Sequence, residues 1–105
     1  MAKVAGPKDL RSSYRLPHSS PIDISWAESS GLKSANATLE EISVGGMRIE
    51  VSEYIPVNTM LTFRVDAIDL SGSATVRHAT QRGAKFILGL ELTPETRHAI
   101  GISFT

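Results

Sequence analysis

Apolar residues recur at every second position through most of the chain. Ile22, Ile24 and Trp26 alternate with Asp23 and Ser25, the period of a strand with one buried face. Ser29-Ser30-Gly31 interrupts the run. Ala35, Ala37 and Leu39 then alternate with Asn36, Thr38 and Glu40 in a second strand that reaches Ile42. Gly45-Gly46 predicts a sharp turn. Met47, Ile49 and Val51 mark a third strand, and Pro56 makes 53–58 a loop, because proline cannot donate to a ladder. Leu61, Phe63 and Val65 mark a fourth strand. Ala74 and Val76 mark a fifth within 71–78, followed by a polar turn at Gln81-Arg82-Gly83. Phe86, Leu88, Leu90 and Leu92 mark the sixth, and Gly89 inside it points to a bulge or a close backbone approach.

Thr93-Pro94-Glu95 predicts a helix start, with a hydroxyl N-cap, a proline in the first turn and an acid at the positive end of the dipole. The helix is expected to reach about Ile100, where Gly101 can end it. Six short strands with regular turns predict an all-β fold, a small antiparallel barrel or sandwich. Neither a repeat nor a low-complexity segment is present.

Composition adds limits. The chain has 105 residues, 41% of them hydrophobic, enough for one domain with its own core. It has 11 basic and 11 acidic residues, so whole-chain charge does not suggest a nucleic-acid polymer as partner. The absence of cysteine removes disulfides, thiolate metal sites and a cysteine nucleophile. No apolar run approaches the ~18 residues of a membrane span, and the first residues lack the apolar stretch of a secretory signal. The expectation is a cytoplasmic protein. Charge is nonetheless uneven, because Lys3, Lys8, Arg11 and Arg15 precede Asp23 against Asp9 alone. Residues 1–15 are expected to form a flexible basic arm, and residues 16–105 the β domain with its helix.

Two clusters could carry chemistry. In Arg11-Ser12-Ser13-Tyr14-Arg15 the arginines share one side of a helix or of an extended strand. Each guanidinium is a planar fork of donors suited to phosphate and to the O6/N7 edge of guanine. A solvated basic tail would have the same sequence. In Glu41-Ile42-Ser43-Val44-Gly45-Gly46, a carboxylate can accept from the N1 and N2 donors of guanine. The Ser43 hydroxyl can donate to a phosphate oxygen, and Gly46 would let a ligand approach or permit positive φ. A hairpin turn with a surface acid would also read this way. The three histidines have no metal-site spacing, and Ser and His occur without a triad signal. Trp26 reads as core. Tyr14 could stack on a base or simply lie at the surface.

Together, and in this order, the clusters resemble the PilZ domain, a bacterial receptor module for the second messenger cyclic di-GMP. Its signature is R-x-x-x-R before a six-stranded barrel, then [D/N]-x-S-x-x-G at a strand end. Arg11 and Arg15 match the first motif, and Ser43 and Gly46 match the second. Glu41 stands where the family has Asp or Asn. The resemblance covers about residues 8–100 and implies a six-stranded antiparallel PilZ-type barrel with a short C-terminal helix.

The resemblance further implies a binding module without catalysis, with cyclic di-GMP as ligand and no other cofactor or metal. Arg11 and Arg15 would grip guanine edges and phosphates, Ser43 would bond a phosphate, Gly46 would give it room, and Glu41 would meet guanine. The signal would pass to a downstream protein or a fused domain. Glu41 is one methylene longer than Asp, a reach of up to ~1.5 Å. This departure feeds an alternative reading, a PilZ fold that binds no nucleotide and serves as a protein-interaction adaptor. Stoichiometry also follows from the family, which takes one dinucleotide or a stacked pair. Leu10, just before the first motif, offers no donor for a second, so one ligand per chain is expected.

Overall fold

The computed structural model describes residues 14–43 and 45–98, and for 14–19 the backbone. Six strands run in order: β1 (Tyr14–Glu28), β2 (Gly31–Ile42), β3 (Gly46–Val51), β4 (Met60–Val65), β5 (Leu70–Arg82) and β6 (Lys85–Leu92). A 3-10 turn, Asp66–Ile68, links β4 to β5. The strands close into an antiparallel barrel in the order β1-β2-β3-β6-β5-β4. Closure gives each of the six described strands a neighbour on both sides, so none is an edge strand.

The alternating residues fill the barrel as their period requires. Ile22, Ile24, Leu39, Ile49, Leu61, Val65, Leu88 and Leu92 are all buried, and Ile55 joins them from the β3–β4 loop. Trp26 is core as expected, with its indole N–H donating to Glu28 Oε2 at 2.9 Å. Burying this indole satisfies its one polar group.

Three strands exceed their sequence pattern, and the simplest case is β2, which starts at Gly31 rather than Ala35. β1 begins at Tyr14 rather than near Pro21, and its pairing with β2 shifts register between Arg15 and Ser20. Pro17 falls in that irregular stretch, where a missing backbone donor is tolerated. β5 continues past His78 to Arg82, and Arg82 pairs with Lys85 across a tight turn at Gly83, whose φ is 63°. This hairpin tip is exposed on both faces, so it has no hydrophobic alternation to reveal it.

The helix occupies 94–98, while Ile100 and Gly101 lie outside the described residues. Thr93 caps it, its hydroxyl accepting from Thr96 N–H at 3.4 Å and its carbonyl from Arg97 N–H at 2.9 Å. Thr96 is buried against β5 and accepts Ser73 N–H at 2.9 Å. Gly72 makes the room, since a Cβ there would lie 2.5 Å from Thr96 Oγ1.

Candidate functional site

Two bulges shape the outer surface of the barrel. In β2 the register shifts between Leu39 and Glu41, and in β5 between Val76 and His78. A bulge sets two residues against one and reverses the inward–outward parity beyond it. Glu41 follows inward-facing Ala37 and Leu39 at the same spacing, so an unbroken ladder would bury its carboxylate. The bulge instead turns Glu41 outward and Ile42 inward, where Ile42 is 2% exposed.

One row of paired residues then crosses five strands. Arg15 pairs with Glu41, Glu41 with Arg48, Arg48 with Gly89, and Gly89 with His78. Arg11 lies outside the described residues, as do Lys8 and Leu10. The backbone of Arg15 is thus brought beside the strand-end motif, although the two are 26 positions apart in sequence.

Around this row lies a groove of about 580 Å³, lined by Glu41, Ser43, Gly46, Arg48, Arg77 and His78 among others. That is within the ~300–1,000 Å³ of small-molecule sites. Ser43 and Gly46 close the β2–β3 turn, with Ser43 N–H donating to the Gly46 carbonyl at 2.8 Å and the Ser43 hydroxyl at 3.4 Å from the same oxygen. The hydroxyl contact is at the long limit of a hydrogen bond. Gly46 does not adopt positive φ. A Cβ there would stand 2.6 Å from the Leu90 carbonyl oxygen, so close approach of β6 excludes a side chain. On β6, Gly89 leaves room for the imidazole of His78, which a Cβ would meet at 3.2 Å.

Ion pairs organise the charges. Arg48 Nη1 is 2.8 Å from Glu41 Oε1, and its Nε is 3.5 Å from Glu40 Oε1. Arg82 bonds both Glu40 and Glu50, which raises its pKa further above the ordinary arginine value. On the opposite wall Arg77 Nε bonds Glu91 at 2.6 Å and its Nη1 bonds Asn58 Oδ1 at 3.1 Å. The hydrogen bond from Arg77, and then its charge, hold the Glu91 carboxyl below its usual range. Lining acids Glu41 and Glu91 are thus matched by lining bases Arg48 and Arg77.

Comparisons with known proteins decide the family. The family model of the PilZ domain matches residues 9–102. This chain belongs to the PilZ domain family. A search of curated proteins returns no match. Among solved structures, the chain is similar to the PilZ domain with c-di-GMP of YcgR from Escherichia coli, with a TM-score of 0.61 at 14% identity over 88% of this chain and 87% of that one. At that identity the likeness bears on the fold, which is the PilZ barrel in both.

PilZ is a family of ligand-binding receptors rather than of enzymes. Among the described residues of this PilZ domain, no helix is long and apolar enough to cross a membrane. Sequence reasoning missed Arg48, Arg77, His78 and Glu91 as groove residues. The signal for Arg48 was the break in alternation at Glu40-Glu41, which sets two acids against one cross-strand cation. The remaining three sit around the β5 bulge, which nothing in the polar stretch 77–82 announces.

Proposed function

We propose that this PilZ domain is a receptor for cyclic di-GMP. It takes the ligand in the groove of Glu41, Ser43 and Gly46, clamps it with Arg11 of the N-terminal arm and with Arg15 at the start of β1, and passes the signal to a partner protein or fused domain. The observation that carries this reading is the β1–β2 register, which pairs Arg15 with Glu41. That register sets the backbone of the second arginine of the signature beside the acid of the strand-end motif.

Electrostatics assigns the arm its task. The four charged side chains named on the groove walls cancel in pairs, so they give little net attraction for a ligand carrying two phosphate charges. Arg11 and Arg15 supply the missing positive charge, as planar forks that suit both phosphate and guanine. The similar YcgR structure is that of a PilZ domain with c-di-GMP, which supports the same ligand here.

The adaptor reading draws on the Glu41–Arg48 ion pair, which already engages the carboxylate. At side-chain exposures of 23% and 41%, such a pair is worth about 0–1 kcal/mol. Hydrogen bonds from guanine to a carboxylate are worth roughly 1.5–3 kcal/mol, so the pair does not close the site. Calorimetric titration with cyclic di-GMP separates the readings. Saturable binding with one ligand per chain is expected, and no heat at ligand concentrations near 1 mM would favour the adaptor.

A further inference from the structure

Arg48 is absent from the two sequence motifs, yet it stands in the centre of the paired row and lines the groove beside Glu41. Its side chain is 41% exposed. Its Nε and Nη1 face Glu40 and Glu41, and among the described residues its guanidinium makes no other bond. Glu40 has a second cation in Arg82, so the charge balance of Glu40 does not depend on Arg48. A fork of five donors with two in use therefore sits at the rim of a ligand groove.

The chemistry of the pair is directional. The Watson–Crick edge of guanine presents the N2 and N1 donors and then the O6 acceptor, side by side. A carboxylate with a guanidinium next to it presents acceptors and then a donor, the complement of that sequence. Adenine presents the N6 donor and the N1 acceptor. Against the same pair it would set an acceptor against the carboxylate and a donor against the guanidinium, two mismatches that cost affinity.

We propose that Arg48 is a specificity-determining residue: it holds the Glu41 carboxylate on β3 and donates to guanine O6, so that the Glu41–Arg48 pair reads the whole Watson–Crick edge. The proposal rests on the receptor reading above. It also gives the longer acid a reason, because the glutamate side chain reaches across the strand to the arginine and is restrained there.

The test is titration of the parent, Arg48→Gln and Arg48→Lys with cyclic di-GMP and with cyclic di-AMP, each protein first checked by its melting curve. The parent should prefer the guanine ligand. Arg48→Gln should bind cyclic di-GMP about tenfold more weakly and cyclic di-AMP no more weakly, so the preference falls about tenfold. Arg48→Lys keeps the charge but not the planar fork, and it too should narrow the preference while remaining folded. Equal losses for both ligands would make Arg48 a general phosphate attractor and overturn the proposal, as would an unchanged preference in both variants. A parent that binds neither ligand would overturn the receptor reading itself, and the proposal with it.

Discussion

Arg48 faces Glu41 directly across β2 and β3, with 2.8 Å between Nη1 and Oε1. This contact exists because β2 bulges after Leu39. Without the bulge the acid would point into a core of Ala37, Leu39 and Ile49, where an ionised carboxylate costs several kcal/mol. A local irregularity in pairing thus becomes a polar site on an otherwise ordinary barrel.

The arm makes the first prediction. Arg11→Ala and Arg15→Ala should each remove a charge-assisted contact worth roughly 1.5–3 kcal/mol. Calorimetry should show cyclic di-GMP binding weakened about ten- to a hundredfold in each. Arginine is seldom fully buried in folded proteins, so melting temperatures should stay near the parent value. Unchanged affinity in both variants would remove the arm from the site.

Glu41 makes the second. Taken from sequence alone, Glu41→Asp would be expected to bind at least as tightly as the parent, because aspartate has one torsion fewer to freeze. The ion pair to Arg48 changes that balance, since it already restrains the longer side chain and a shorter one loses part of it. Glu41→Asp should therefore fall within about threefold of the parent, inside the ~1 kcal/mol worth of an exposed pair. Glu41→Ala should lose about tenfold, because guanine donors are left without their acceptor. Parent-like binding by the alanine variant would show that Glu41 does not touch the ligand.

Gly46 makes the third. A methyl group at this position would stand 2.6 Å from the Leu90 carbonyl oxygen, which is backbone and cannot swing aside. Gly46→Ala should cost about 1–3 kcal/mol, as overpacking does elsewhere, and lower the melting temperature by at least ~4 °C. A melting curve that superposes on the parent would contradict the close approach.

The Arg77–Glu91 pair makes the fourth. Glu91 has its carboxyl pKa lowered from the ordinary 4.5 in the folded protein. A carboxylate of this kind contributes stability that is fully present above its unfolded value and is lost as pH falls through the folded one. The stability difference between the parent and Glu91→Gln should hold constant near neutral pH and shrink as pH drops below about 4.5. Both side chains are about half exposed, so the difference is small and salt-sensitive. A difference that grows on acidification would have the wrong sign.

The barrel was legible in the sequence because burial imposes a period of two. Ile22-Ile24-Trp26 and Leu61-Phe63-Val65 alternate cleanly and lie in strands with those residues inward. Legibility failed where strands have no buried face, as in β5 beyond Ala79, or where proline is absorbed by irregular pairing, as in β1 near Pro17. The motif residues Glu41, Ser43 and Gly46 could be named from spacing. Their neighbours Arg48, Arg77 and His78 could not, because two bulges set which residues share the outer face, and a bulge leaves only a phase slip in the pattern. The reason for Gly46 was also hidden, since the carbonyl that excludes a side chain there belongs to Leu90, on a strand far away in sequence.

The most direct measurement is an amide chemical-shift titration of the 15N-labelled protein with cyclic di-GMP. Saturable shifts should concentrate on the paired row and its turn, at Arg15, Glu41, Ser43, Gly46, Arg48 and Gly89. Amides at the exposed residues Leu32 and Met60 should stay in place. An absence of shifts at saturating ligand, or shifts centred on Leu32 and Met60 instead, would contradict a cyclic di-GMP site in this groove.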